Sequence, residues 1–163
     1  MNVVCSSLTR DYRHDRGFTI IEVVVVMAVL SILALLTMPV AELSVKRIKE
    51  RELKAALWEI RDALDRYKVA YDAGRLVQTP GRSGYPRTLD ELTSDFTDIR
   101  TGEPMHFIRR LPNDPFASAD QPFSWGLRSY ASPASRPESG DDVYDVYSLA
   151  PGIGLNGVPY AKW

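Results

Sequence analysis

Cysteine and histidine are scarce in this chain of 163 residues. Cys5 is the only cysteine, and His14 and His106 are the two histidines. One cysteine cannot form an internal disulfide, and a zinc site of the usual thiolate and imidazole composition is excluded. The net charge of −1 gives no electrostatic basis for binding nucleic acid. A glycine-rich phosphate-binding loop is also missing, so the chain has no motif for using ATP.

Residues 18–41 contain almost no charge, because Glu22 is their only ionisable side chain. A helix of about 24 residues is roughly 36 Å long and spans a bilayer. A carboxylate inside such a segment costs at least ~2.5 kcal/mol on insertion scales, so Glu22 indicates a function. An ordinary secretory signal has a shorter apolar region, of about 7 to 15 residues, before a small-residue cleavage site. This run is too long, and it ends in Leu-Leu-Thr-Met-Pro at residues 35–39.

A second helical pattern follows the apolar run. Its apolar residues recur at spacings of four and three and predict an amphipathic helix that packs on a sheet; they are Leu53, Leu57, Ile60, Leu64, Tyr67 and Tyr71. Gly74 is a candidate C-cap, so a helix is expected from Phe18 to about Ala73, roughly 84 Å if continuous. Pro39 removes one helical hydrogen bond and predicts a kink near residues 35–39. Two helices joined at the membrane surface are the alternative.

Short elements are predicted after Gly74. Thr88 and Glu91 have the spacing of a capping box that opens a short helix through Leu92. Alternating apolar residues predict strands at 123–130 and 143–149. A long helix followed by short strands predicts an α+β fold with a small antiparallel sheet.

The junction at residues 16–22, Arg-Gly-Phe-Thr-Ile-Ile-Glu, resembles the class III signal of type IV pilins and type II secretion pseudopilins. In that family a prepilin peptidase cuts after the glycine and N-methylates the new amino terminus. The resemblance implies cleavage between Gly17 and Phe18, methylation of Phe18, and a role for Glu22 in subunit assembly. It places the leader in the cytoplasm and the chain after about Ala41 in the periplasm. In the alternative, an uncleaved signal anchor, Gly17 and Glu22 are coincidental.

The C-terminal part of the sequence is similar to one particular group within this family. Leu-Pro-Asn-Asp-Pro-Phe at 111–116, Tyr-Asp-Val-Tyr-Ser-Leu at 144–149 and terminal Trp163 are similar to the major, G-type pseudopilin of type II secretion. In that family acidic residues before the terminal tryptophan bind calcium, whereas residues 150–162 here contain Asn156 but no carboxylate. Calcium takes 6 to 8 oxygen ligands, usually including carboxylates, so we expect weak calcium binding or none. The remaining candidate ligands, which are also typical of a solvated hairpin edge, are Asp141, Asp142 and Asp145.

The resemblance implies a pilin-like architecture and a structural function. Its segments are a prepilin leader at 1–17, a transmembrane and assembly helix at 18–41, an amphipathic periplasmic helix at 42–74 and a globular domain at 75–163. Processed subunits are expected to form a homopolymer, a pseudopilus that drives protein export across the outer membrane. The implied partners are minor pseudopilins, the prepilin peptidase, an inner-membrane assembly platform with its ATPase, the secretin and the inner membrane, with no nucleic acid.

Two other interpretations remain. A type IV pilin or minor pseudopilin is the alternative within the family, although the C-terminal cysteine pair common in major type IV pilins is absent. A membrane-anchored periplasmic enzyme or binding module is the alternative outside it. Its candidate nucleophiles, Ser124, Ser129 and Ser148, lie in no Gly-x-Ser-x-Gly elbow, and only His106 is available as a base. We therefore predict that the chain is not an enzyme.

Overall fold

The computed structural model describes residues 17–117 and 125–163. For residues 35–40 it describes the backbone only. The fold is α+β, as the sequence predicts. Helix α1 spans Ile20–Asp72. The strands that follow it are β1 (Phe96–Thr97), β2 (Pro104–Met105), β3 (Trp125–Arg128) and β4 (Asp145–Ser148), and two short 3-10 helices span Leu89–Thr93 and Tyr160–Lys162. The chain divides within α1 into two compact units, residues up to Glu42 and Leu43–Trp163.

Helix α1 begins at a polar cap. The Thr19 hydroxyl accepts a hydrogen bond from the backbone N–H of Glu22, with an N–O distance of 3.3 Å. Glu22 is the acidic residue of the first turn, where the helix dipole favours a negative charge. Thr19 and Glu22 have the Thr-x-x-Glu spacing of a capping box, a signal that our interpretation of the sequence did not use.

The first unit exposes apolar side chains on every face of α1. All large apolar residues from Phe18 to Leu33 are exposed, from 42% at Val23 to 86% at Ile20. A helix that is apolar all round is stable when other apolar groups surround it. In the described part of the chain, no helix combines the length and apolarity required to cross a membrane. Pro39 lies within α1, and the kink expected there stays a prediction.

Helix α1 ends at Asp72 and is capped by Gly74 in the manner predicted. Gly74 has a φ of 67°, which glycine adopts without steric cost. The Arg75 N–H donates to the Ala70 carbonyl and the Gly74 N–H donates to the Tyr71 carbonyl, each at 3.0 Å. These two bonds form a Schellman motif, so the chain turns back here toward the body of the second unit.

The second half of α1 supplies one side of the core. Its predicted stripe is confirmed: Leu53, Leu57, Ile60, Leu64 and Tyr67 are buried, and Tyr71 is partly buried. The facing side chains come from the first 3-10 helix, the loops and the strands, and include Leu89, Leu92, Phe107, Trp125, Val143 and Val146. Burying one such side chain contributes about 1.5–3 kcal/mol, so this core holds the short strands against α1.

The strands form two antiparallel pairs, β1 with β2 and β3 with β4. In the second pair Trp125 faces Ser148 and Arg128 faces Asp145. The predicted strand at 143–149 is too long, because the Val143 N–H donates to the Pro86 carbonyl at 2.8 Å instead of joining the ladder. Of the predicted strand at 123–130, residues 125–128 form β3, and 123 and 124 lie outside the described residues.

The short helix after Gly74 corrects one detail of the sequence prediction. It spans Leu89–Thr93 and buries Leu89 and Leu92, as expected. The Thr88 hydroxyl, however, makes no capping bond. Instead, the Glu91 carboxylate accepts a hydrogen bond at 3.0 Å from the N–H of Arg87, the residue before the N-cap, so the predicted capping box does not form.

Candidate processing and assembly site

Gly17 and Phe18 lie in non-helical chain immediately before α1. The Phe18 side chain is 80% exposed. A Cβ atom added to Gly17 would meet no heavy atom within 4 Å. The described packing therefore gives no reason for glycine at position 17, and the bond that follows it is accessible.

Glu22 lies in the first turn of α1 and is exposed. Its backbone is capped by Thr19, but its carboxylate has no ion-pair partner within residues 17–117 and 125–163. The side chains three and four positions away are a phenylalanine, a threonine and two valines. Within the described chain, the charge is stabilised only by solvent and the helix dipole, and it remains available to a second molecule.

A polar cluster joins the tail to α1. Lys46 Nζ donates to the Ile153 carbonyl at 2.8 Å. Glu50 Oε1 accepts from the Leu155 N–H at 2.8 Å and from the Tyr160 hydroxyl at 3.1 Å. Glu50 is only 8% exposed, so these two bonds compensate a large part of the cost of its burial. Burial, followed by the hydrogen bond to Glu50, raises the pKa of Tyr160 above 10.0.

Trp163 contacts both the tail and helix α1. Trp163 Nε1 donates to the Val158 carbonyl at 3.1 Å, and Arg61 Nη2 donates to the Trp163 carbonyl at 2.8 Å. The Lys54 ammonium lies 4.6 Å from the centre of the Trp163 ring system, within cation–π range. These contacts give Trp163 a structural role.

The tail motifs named in the sequence are linked in space. Ser148 donates its hydroxyl to the Asp114 carboxylate. The other Asp114 oxygen accepts from the Phe116 N–H at 2.8 Å, and Trp125 Nε1 donates to the Pro112 carbonyl at 3.1 Å. Residues 111–116 are thus hydrogen-bonded to both β3 and β4.

Three of the calcium ligands considered from the sequence, Asn156, Asp142 and Asp145, have other partners. Asn156 Oδ1 accepts from the Val158 N–H at 3.0 Å, and Asp145 pairs with Arg61 at 2.7 Å. Burial would raise the pKa of Asp142, but hydrogen bonds from Ser129, Ser83 and Tyr130 lower it below 3.8. No group of three or more His, Cys, Asp or Glu residues able to hold a metal occurs in the described parts of the chain.

The candidate catalytic residues do not form a nucleophile–base pair among the described residues. The Ser129 hydroxyl donates to Asp142 at 2.6 Å, and the Ser148 hydroxyl is bound to Asp114. His106 Nδ1 lies 3.2 Å from an Asp95 oxygen, and both side chains are largely exposed. Ser124 lies outside the described residues.

Lys46, Glu50 and Arg61 are the residues of the tail site that the sequence analysis missed. A signal was present for two of them. Lys46 and Glu50 continue the Leu53 and Leu57 stripe toward the N-terminus at spacings of four and three. Charged residues on the core-facing side of a helix indicate a buried polar contact.

Comparisons with known proteins cover the N-terminal motif and most of the chain. Residues 12–38 match the family model described as the prokaryotic N-terminal methylation motif. The type II secretion system core protein G of Klebsiella pneumoniae is 29% identical over 143 residues, covering 80% of this chain and 94% of that protein. The protein of the same name from Dickeya chrysanthemi is 29% identical over 159 residues, covering 89% and 96%. The one from Aeromonas hydrophila is 32% identical over 120 residues, covering 70% and 76%.

No solved structure gives a significant match to the chain. A capped N-terminal helix that carries a methylation motif and continues into a small α+β unit defines a pilin-like protein. More specifically, the chain belongs to the type II secretion system core protein G family. The family resemblance identified from the junction and the tail is confirmed.

Proposed function

We propose that the chain is a major pseudopilin that is cut after Gly17, methylated on Phe18 and polymerised into a type II secretion pseudopilus. The observation that carries this proposal is Glu22, an acid that lies in the first turn of an exposed apolar helix and has no ion-pair partner among the described residues. Family membership supplies the type of assembly, since the relatives are core proteins of a secretion system. The function is structural, and the chain is not an enzyme.

Cleavage explains the glycine at position 17. Because a side chain there would meet no neighbouring atom, the requirement for glycine does not come from packing in the described chain. A narrow peptidase subsite does require a residue without a side chain. The exposed, non-helical position of Phe18 gives the enzyme access to the bond.

Membrane insertion and fibre assembly explain the exposed apolar run. Within the described chain, the large apolar side chains from Phe18 to Leu33 are exposed and therefore need apolar neighbours from outside the chain. Before assembly, lipid supplies those neighbours, and we place this segment in the inner membrane with Leu43–Trp163 in the periplasm. After assembly, the same surfaces of other subunits replace lipid.

Glu22 sets the register of that assembly. A methylated amine stays cationic near neutral pH, so the new N-terminus of one subunit can pair with Glu22 of a neighbour. Two charges offset each other's desolvation only when their geometry is close to ideal. Pairing between subunits therefore selects one axial stagger and disfavours others.

Partners follow from the same chemistry. Since no phosphate-binding loop occurs in the sequence, the work of extracting subunits comes from an ATPase acting through an inner-membrane platform. Minor pseudopilins and the secretin complete the proposed machine. Calcium is not required for this function.

The experiment that tests processing is mass spectrometry of the N-terminus after extraction from membranes of cells with prepilin peptidase. We expect a chain that begins at a methylated Phe18. Gly17→Val is expected to stay full length, whereas Thr19→Val, which places the same side chain beyond the bond, is expected to be cut. A wild-type chain that still begins at Met1 contradicts the proposal.

A further inference from the structure

One face of α1 in the second unit points away from the core and carries exposed aromatic and charged residues. At 100° per residue its members fall within an arc of about 60°. We call this the outer face; its residues are Arg47, Arg51, Trp58, Asp62, Asp65 and Val69. Trp58 is 71% exposed and Val69 is 68% exposed. An exposed tryptophan ringed by charged residues is typical of a protein contact.

The charges of the outer face are separated along the helix. Arg47 and Arg51 lie in the N-terminal half, and Asp62 and Asp65 lie in the C-terminal half. Asp62 pairs with Arg66 at 2.9 Å, within the same helix. The other three charges form no ion pair within the described residues. A face that is basic at one end and acidic at the other is complementary to a shifted copy of itself.

A single shift along the helix axis places the basic half of one copy opposite the acidic half of another. Four helical turns correspond to about 14.4 residues, or roughly 22 Å. When a parallel copy is shifted by this amount, Arg47 lies opposite Asp62 and Arg51 lies opposite Asp65.

The same displacement matches the apolar residues that flank these charges. Leu43, 47% exposed, lies opposite Trp58. Ala55, which is also exposed, lies opposite Val69. Where the two copies overlap, this displacement therefore gives two apolar pairs and two pairs of opposite charges.

We infer that the outer face of α1 is a subunit contact whose occupant is a second copy of this chain, parallel and shifted by about four turns. This inference rests on the proposed polymerisation and adds the periplasmic surface to it. The contact is heterologous, because the basic half of one copy binds the acidic half of the next. A free basic half and a free acidic half remain at opposite ends, so the contact propagates and does not close.

Disulfide trapping tests the register in the full-length chain. The pair Arg51→Cys and Asp65→Cys is placed in one chain that also carries Cys5→Ser, which removes the only natural cysteine. The two positions are roughly 21 Å apart along one helix, whereas a disulfide joins Cα atoms about 4.4–6.8 Å apart. A bond between them must therefore join two chains. Oxidation of assembled fibres is expected to give a ladder of covalent oligomers that is lost on reduction.

The matched control pairs Glu52→Cys with Asp65→Cys. Glu52 is exposed at nearly the same height as Arg51 but about 100° away around α1. The control is expected to lose the ladder. Fibres seen by electron microscopy whose Arg51 and Asp65 cysteines give no more ladder than the control overturn the contact and leave the proposed function standing. Absence of fibres from the wild-type chain overturns both.

A charge exchange tests the same contact without cysteines. Arg51→Asp alone and Asp65→Arg alone each place like charges opposite one another, and each is expected to lose fibres. The double variant restores opposite charges and is expected to recover them. Normal fibres from both single variants contradict the inference, as does a double variant that remains without fibres while its second unit unfolds like the wild type.

Discussion

Single residues on the core-facing side of α1 determine how the tail is held. Glu50 illustrates this, because it is buried and accepts hydrogen bonds from Leu155 and Tyr160. Its neighbour Glu52 is exposed on the same helix. Two acids two positions apart therefore have different roles, decided by the direction in which each projects from α1.

We predict that Glu50→Leu destabilises the second unit by about 1–3 kcal/mol, because it leaves the Leu155 N–H and the buried Tyr160 hydroxyl without an acceptor. The control, Glu52→Leu, is expected to change stability by no more than about 0.5 kcal/mol. Denaturant unfolding of the Leu43–Trp163 fragment, which corresponds to one compact unit, measures both values. Equal effects of the two substitutions would contradict the role given to Glu50.

At the scale of elements, much of α1 could be predicted from the sequence. The four-and-three stripe from Leu53 to Tyr67 and the glycine after the last turn both act locally, and both predictions are confirmed. The pairing of β1 with β2 was not predicted, because strands of two residues are too short to show an alternating pattern in the sequence. The bond between Glu50 and Leu155 joins residues far apart in sequence, so local patterns give only the anomalous charge on the stripe.

The tail loop gives a prediction about calcium. The Ile153 carbonyl accepts a hydrogen bond from Lys46, and the Leu155 N–H donates one to Glu50. The Asn156 side-chain oxygen accepts one from the Val158 N–H. A ligand at 100 times its dissociation constant adds ~2.7 kcal/mol of stability. We expect no such gain from calcium. Thermal melts of the Leu43–Trp163 fragment in calcium and in chelator are expected to coincide, and a rise of several degrees in calcium would overturn this prediction.

At the scale of the whole molecule, titratable groups define a broad range of pH stability. Hydrogen bonds from Arg75 and from the Arg100 N–H hold the pKa of Asp98 below 3.8. Burial raises the pKa of Tyr67, Tyr85 and Tyr160 above 10.0. The contribution of ionised Asp98 to folding stability is complete above the ordinary pKa of an aspartate. It is lost as the pH falls through the lowered pKa of the folded state. The tyrosine contribution is present below the ordinary value and is lost as pH rises through the raised pKa.

We therefore predict a stability plateau between about pH 4 and pH 10, with losses on either side. Asp98→Asn is expected to flatten the acid side, because the group that takes up a proton there is gone. Asp95→Asn, at an exposed position, is the control and is expected to leave the slope unchanged. Melting temperatures of the second unit across the pH range measure both slopes, and an acid side that Asp98→Asn leaves as steep as in the wild type would argue against the prediction.

The central claim, that Glu22 serves assembly and not folding, is tested most directly by fibre formation in Glu22→Leu. The variant chain is expected to be inserted, cleaved and stable, and its second unit to melt like the wild type. It is nevertheless expected to form no fibres, because the cationic N-terminus of each subunit loses its buried partner. Glu42→Leu, which removes an exposed acid from the same unit, is expected to assemble. Normal fibres from Glu22→Leu in cells without wild-type subunits would contradict the claim.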